Sequence, residues 1–244
     1  MGEKMNVDLA GDSMSGTMGT QFDRREQLIE VVVFLFLIGP SLALSFFAGD
    51  QTNIGFVLEA TATILRDLSL LALILFFLWR NKEVIGHIGW TVQHVWRDLA
   101  IGAVLFVPMF FGATQLEQFL SRLGFSSPAR PLPSLEPSRS TPEMLLALVL
   151  VTTVALTEES IFRGYLLLRF QAITRSPFWS VILTAVVFSL GHGYEGTAGV
   201  ITVGAMGLVF CLVYLWRKSL VAPVTMHFLQ DLVTIVIVPL LTRT

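Results

Sequence analysis

The chain has 244 residues, of which 54% are hydrophobic and only 14% are charged. Its mean hydropathy of +0.72 lies far above that of a soluble domain, which excludes an ordinary water-soluble fold and indicates an integral membrane protein. A net charge of −2 argues against a nucleic-acid partner, and the single cysteine, Cys211, excludes an intrachain disulfide and a cysteine-based zinc cluster.

The polar beginning of the chain differs from the apolar runs that follow it. Residues 1–27 are rich in Gly, Ser, Thr and Asp, and we interpret them as a mobile tail ahead of a transmembrane domain at 28–244. The first apolar run, Leu28–Phe47, contains small residues like those of a cleavable signal. It is too long for a signal-peptide core, so we predict an uncleaved membrane span.

Apolar runs of about membrane-spanning length recur along the rest of the chain, and polar loops separate them. We therefore predict an all-α fold, a polytopic membrane helix bundle with about seven transmembrane helices. The predicted spans are Leu28–Phe47, Gly55–Trp79, Leu99–Phe119, Pro142 to about Gln171, Pro177–Leu190, Thr197–Trp216 and Leu220–Leu241.

The basic residues and the tryptophans predict how this bundle is oriented. With the N-terminus inside, the inner segments carry more Lys and Arg than the outer segments, in agreement with the positive-inside rule. The inner residues are Arg24, Arg25, Arg80, Lys82, Arg97, Arg169, Arg175, Arg217 and Lys218, and the outer ones are Arg122, Arg130, Arg139 and Arg243. All five tryptophans also fall at or near the inner interface. We expect a multi-pass protein of the cell (inner) membrane with a cytoplasmic N-terminus.

The second span contains Glu59 and the adjacent pair Arg66 and Asp67. Charged side chains are costly within a bilayer and are usually paired there. The simplest interpretation is an arginine–aspartate pair that faces the bundle or the lipid interface.

Three short polar patterns lie inside apolar runs of the last hundred residues. They are Glu158-Glu159-x-x-x-Arg163, Phe188-x-x-x-His192 and His227-x-x-x-Asp231. Each closing pair is spaced i, i+4 and shares a helix face, so we predict that Glu159 and Arg163 pair with each other. Glu158 points about 100° away from Glu159 around the helix axis and has no partner four residues along the helix.

The residue types in these patterns suit hydrolysis. A lone histidine in a membrane span is most often a buried hydrogen-bonding residue, but two histidines, a glutamate pair and an aspartate on three helices indicate a functional site. A glutamate can act as general base, one imidazole can hold a water or a metal ion, and a second can stabilise an oxyanion. The chain has neither a Gly-x-Ser-x-Gly nucleophile motif nor a His-Glu-x-x-His zinc motif.

The ordered set Glu-Glu-x-x-x-Arg, Phe-x-x-x-His and His-x-x-x-(Asn or Asp) resembles the CPBP family of intramembrane proteases. This family contains the CAAX proteases of the type II CAAX prenyl endopeptidase class and bacteriocin-processing proteins. The resemblance covers roughly residues 140–235, which would form the catalytic core. It implies that Glu158 activates the attacking water and that His192 helps to hold it. It also implies that Glu159 and Arg163 brace the site.

The resemblance further implies that His227 and its i+4 partner line the oxyanion side. Asp231 stands where the family often has Asn, and a carboxylate is a poor oxyanion donor unless it is protonated. A structural role for Asp231, in which it orients His227, is therefore an equal alternative.

Metal dependence stays open at this stage. Glu158, His192 and His227 could supply three ligands to a catalytic zinc ion, or they could bind water directly. We favour a site that requires no cofactor. In either case we expect the three side chains to converge on one wet cavity that is reachable from the inner face. Because Glu158 is about 24 Å along a helix that starts at Pro142, this convergence requires a tilted or overlong fourth helix.

These observations favour an intramembrane endopeptidase that uses a glutamate-activated water. Its substrate would be a membrane-anchored protein or peptide, either prenylated or carrying a C-terminal signal. The alternative is a non-catalytic membrane scaffold or immunity protein of the same family. A proton-coupled transporter is a third hypothesis, but the chain shows no inverted repeat.

Overall fold

The computed structural model describes residues 24–47, 55–127, 137 and 140–242. Within these ranges the regular structure is entirely helical and no strand occurs, which confirms the predicted all-α class. The α-helices are α1 (Arg24–Ser45), α2 (Phe56–Arg80), α3 (Val95–Arg122), α4 (Thr141–Glu159), α5 (Leu167–Thr174), α6 (Pro177–Leu190), α7 (Gly196–Arg217), α8 (Val221–Asp231) and α9 (Val238–Thr242). The helix α1 begins inside the predicted tail, whose residues 1–23 lie outside the described ranges.

Among the described residues, six continuous helical segments are long and apolar enough to cross a membrane, and α6 is a seventh, shorter apolar helix. The segments α4–α5 and α8–α9 each count as one, because a π-helix joins their two parts without a break. The protein is therefore a multi-pass integral membrane protein. Its many exposed apolar side chains form the surface that contacts lipid.

The segment Thr141–Thr174 is the longest helix of the bundle, with 34 residues. At 1.5 Å per residue it extends about 51 Å, well beyond a hydrocarbon core of about 30 Å. Its central part, Ser160–Leu166, is a π-helix in which every residue is buried. The sequence required a tilted or overlong fourth helix for Glu158 to reach the other site residues, and the helix is overlong.

Part of the predicted loop between the second and third spans folds back into the bundle. Ile88 is buried, and the Trp90 indole Nε1 donates a hydrogen bond to Ser160 Oγ at 2.9 Å. The backbone carbonyl of Ile88 lies 2.8 Å from the position that a Cβ would occupy on Gly164. Residue 164 must therefore stay a glycine, because a side chain there would clash with the Ile88 carbonyl and push the loop out of the bundle.

A buried polar network ties α1 to α2 and α5 at one end of the bundle. Glu30 accepts hydrogen bonds from Arg80 Nη2 and the Tyr165 hydroxyl, each at 2.5 Å. Arg169 forms an ion pair with Glu30 at 3.3 Å and a second one with Glu83. Two surface cavities of about 360 and 290 Å³ border this network. The network holds α1 against the long helix by charge–charge contacts that the apolar pattern did not predict.

Close backbone approach joins α3 to α8. A Cβ on Gly102 would lie 2.6 Å from the carbonyl oxygen of Ala222 and 2.7 Å from the Thr225 Cβ. Two helices can come this close only where one of them has no side chain. The position of α8, which carries His227, therefore depends on a glycine in α3.

We expect Gly102→Ala to destabilise the fold by about 1–3 kcal/mol, because the added methyl group forces α3 and α8 apart. Gly112→Ala on the same helix is the matched control, since a Cβ there meets nothing within 4 Å. The control should be neutral or slightly stabilising, because alanine favours a helix over glycine. Thermal unfolding of both variants in detergent measures the difference, and equal melting temperatures would contradict the close-packing argument.

Candidate active site

The predicted pairing of Glu159 with Arg163 is confirmed. Arg163 Nη1 donates to Glu159 Oε1 at 2.7 Å, and both side chains are 0% exposed. The guanidinium also lies over the rings of Phe188 and Phe210, at 4.2 and 4.9 Å from the ring centroids. Its Nε and Nη2 have no hydrogen-bond partner among the described residues, so the aromatic faces are their contact.

His227 is bound to the same carboxylate oxygen. Its Nδ1 lies 2.8 Å from Glu159 Oε1, and its ring stacks on Phe210 with centroids 5.7 Å apart. Glu159 therefore links Arg163 of the long helix to His227 of α8. This contact fixes the orientation of the imidazole and turns its other nitrogen, Nε2, towards the remaining carboxylates.

Two carboxylates face His227 Nε2. Asp231 Oδ2 lies 3.5 Å from it and Glu158 Oε2 lies 3.9 Å from it. The Glu158 and Asp231 side chains are 14% and 17% exposed, so they form the more accessible side of the site. That Asp231 orients His227 stays a prediction: Asp231 lies nearest Nε2, whereas Glu159 makes the shorter contact at Nδ1.

Glu158 is the more accessible of the two glutamates. Its Oε2, like Oε2 of Glu159, is buried and has no hydrogen-bond partner among the described residues, but the Glu158 side chain is 14% exposed and that of Glu159 is 0% exposed. At 3.9 Å the approach to His227 is too long for a direct hydrogen bond. A buried carboxylate oxygen in this state requires a water molecule or a substrate group to satisfy it.

His192 lies in the turn after α6, beside the same aromatic ring as His227. The helix α6 ends at Leu190, and His192 Nδ1 is 3.1 Å from the carbonyl oxygen of Phe188. The Phe188 ring borders both histidines, with centroids 5.0 Å from His192 and 6.1 Å from His227. Within the described ranges His192 makes no hydrogen bond or ion pair with Glu158, so its convergence with Glu158 stays a prediction.

The sequence also left one neighbour of the site unassigned. The predicted pair of Arg66 and Asp67 forms, with a distance of 2.9 Å, and Asp67 is buried. Asp67 Oδ2 also accepts a hydrogen bond from Thr157 Oγ1 at 3.3 Å. Thr157 directly precedes Glu158 in the chain. A charge pair near the middle of a membrane span is the signal that could have identified this contact.

Zinc ligation by Glu158, His192 and His227 stays a prediction. Among the residues that the structure describes, no group of three or more His, Cys, Asp or Glu side chains is placed to hold a metal ion. His227 Nδ1 is engaged by Glu159, so Nε2 is the nitrogen that could bind a water or a metal.

A family model described as Type II CAAX prenyl endopeptidase Rce1-like matches residues 140–233. All six residues of the candidate site lie inside this range, whereas α1, α2 and α3 lie outside it. Comparisons with curated proteins and with solved structures found no match.

We expect Arg163→Met to destabilise the fold by about 3–5 kcal/mol, because Glu159 would keep a buried charge without its partner. The double variant Glu159→Gln with Arg163→Met should cost less than the single one, since it removes both charges. Arg122→Met, at the exposed end of α3, is the control for loss of an arginine. Thermal unfolding in detergent measures all three, and a wild-type melting temperature for Arg163→Met would contradict the bracing role.

Proposed function

Because residues 140–233 form a domain of the Rce1-like type II CAAX prenyl endopeptidase family, we propose that this protein is an intramembrane endopeptidase. Glu158 activates the water that attacks the scissile carbonyl. The observation that carries this assignment is the position of Glu158: its side chain is partly exposed, and its Oε2 lies 3.9 Å from His227 Nε2 with no hydrogen-bond partner among the described residues. A water bound beside these two atoms would contact both a base and a potential oxyanion donor.

The proposed reaction separates the two neighbouring glutamates by role. Glu158 takes a proton from water, the hydroxide adds to the carbonyl carbon, and the protonated Glu158 returns the proton to the leaving amine. His227, as the imidazolium, donates from Nε2–H to the oxyanion while its Nδ1–H remains hydrogen-bonded to Glu159. Arg163 compensates the charge of Glu159, which leaves Glu159 as an orienting group and keeps it out of the proton transfers.

His192 takes a supporting role in this proposal. Its ring lies against Phe188 beside the histidine that contacts Glu158, and its Nδ1 is engaged with a backbone carbonyl. The free Nε2 would help to hold the water, as the resemblance to the family implies. This step requires His192 to approach Glu158 more closely when substrate is bound, which is common in apo active sites.

The substrate follows from the family description and from the membrane setting. The family is named for prenyl endopeptidases that act on CAAX sequences, which carry a lipid on a cysteine near the C-terminus. A lipid-anchored peptide would reach a buried site from the bilayer without leaving it. We propose that cleavage occurs in the cell membrane and that the site opens towards the inner side, where the basic loops lie.

We expect Glu158→Gln to abolish cleavage of a farnesylated CAAX peptide and to leave the fold intact, because the amide keeps the shape and removes the base. The assay detects release of the C-terminal tripeptide from protein in nanodiscs, and circular dichroism checks folding. Glu59→Gln is the matched control, a half-buried glutamate in a membrane helix away from the site. Full activity of Glu158→Gln would contradict the role of Glu158 as the base, whereas an inactive wild type would favour the non-catalytic scaffold.

Asp231 offers a second test of the oxyanion side. We expect Asp231→Asn to retain cleavage within about tenfold, since an amide N–H can donate to an oxyanion beside His227 Nε2. Asp231→Ala should lower kcat by about 10²-fold, because it removes the carboxyl group, which donates to the oxyanion in its protonated form. Cleavage rates of the same peptide compare the two variants. If the alanine variant is as active as the asparagine variant, Asp231 has no part in stabilising the oxyanion.

A further inference from the structure

A charged side chain in the middle of α2 has no role in the chemistry described so far. Arg66 is ten residues beyond Phe56, about 15 Å along the helix, which is about half the thickness of a hydrocarbon core. Its side chain is 49% exposed. An accessible arginine at this depth raises the free energy of the folded protein in the membrane, and charged residues found there usually have a function.

The known contacts of Arg66 use only one edge of its guanidinium. Nε and Nη2 both lie 2.9 Å from the same oxygen, Oδ1 of Asp67. The other oxygen of Asp67 accepts the hydrogen bond from Thr157. Nη1 of Arg66 has no hydrogen-bond or ion-pair partner within the described part of the chain. Asp67 therefore holds the arginine in place and leaves donors available for another anion.

The position of Arg66 relates it to the candidate active site. It is the chain neighbour of Asp67, which contacts Thr157, and Thr157 is the chain neighbour of Glu158. Arg66 also lies within electrostatic range of Glu158 and of Tyr194 in the turn after α6. Through these neighbours Arg66 lies at the border of the site on the side of α2.

We infer that Arg66 is a specificity-determining residue that binds the C-terminal carboxylate of the substrate, an inference that rests on the proposed function. A peptide terminus three residues beyond the scissile bond is about 10 Å from it, a distance that a residue at the border of the site can reach. Glu158 and Asp231 repel an anionic terminus, and the guanidinium offsets that repulsion while its planar donors match a carboxylate.

The depth of Arg66 decides between two sources of an anion. Lipid phosphates lie at the membrane surface, about 15 Å from the bilayer centre. An anion that reaches Arg66 must therefore arrive on a substrate that enters the bundle. The terminal carboxylate of a short, lipid-anchored segment meets this requirement.

The test is a binding experiment on the full chain in nanodiscs. The probe is a fluorescent farnesylated CAAX peptide whose scissile amide is N-methylated to prevent cleavage, made with either a free C-terminal carboxylate or a C-terminal amide. Wild type should bind the acid about 10- to 100-fold more tightly than the amide, as expected for charge-assisted hydrogen bonds. Arg66→Gln should bind both forms equally, and Arg66→Lys should keep part of the preference.

Three further variants separate recognition from folding. Arg66→Gln leaves Asp67 buried without its partner, so the double variant with Asp67→Asn removes both charges and should also lose the preference. Asp67→Asn alone keeps the arginine and should retain the preference for the acid. Arg122→Gln controls for the loss of one positive charge and should behave as wild type.

The outcomes distinguish this inference from the proposed function. A preference for the acid that survives Arg66→Gln overturns the inference, and so does equal binding of both peptides or no binding of either by wild type. Cleavage of the unmethylated peptide is measured separately. If wild type prefers the acid through Arg66 but cleaves nothing, the recognition site stands and the protease assignment fails.

Discussion

The ion pair between Glu159 and Arg163 is the contact on which the rest of the site depends. Two fully buried charges are stable only together, because either one alone leaves an uncompensated charge in a dry interior. The Phe188 and Phe210 rings complete the surroundings of the guanidinium, so α6 and α7 are drawn to the same point. Glu159 then holds His227 by the same oxygen, which adds α8. One carboxylate oxygen thereby organises four helices.

Adjacent positions in a helix allow two glutamates to have opposite properties. Glu159 faces the interior, where Arg163 and His227 consume the bonding capacity of its Oε1. Glu158 points to the side that remains partly accessible, and its Oε2 has no partner within the described residues. A general base needs an accessible oxygen that is free to bind water, as in Glu158. A residue that braces the site needs an oxygen held by its neighbours, as in Glu159. The pair of residues thus separates the support of the site from its chemistry.

The surrounding bundle limits how far these groups can move. Glycines at 102 and 164 allow α8 and the loop before α3 to pack at backbone distance, so neither can shift without a clash. The Trp90–Ser160 hydrogen bond ties that loop to the first residue of the π-helix after Glu159. A π-helix begins directly after Glu159 in the long helix, where it includes Arg163, and another begins directly after Asp231 in α8; such segments are frequent at functional sites.

The sequence by itself determined the helical class, the approximate spans and the Glu159–Arg163 pair, because hydropathy and i, i+4 spacing are local properties. Only the tertiary structure decided that Glu159, and not Asp231, contacts His227 Nδ1, and that Asp67 lies beside the site. It also decided that the loop around Ile88 is buried. These features arise from how apolar helix surfaces and small residues pack against each other over long separations, which no local period encodes.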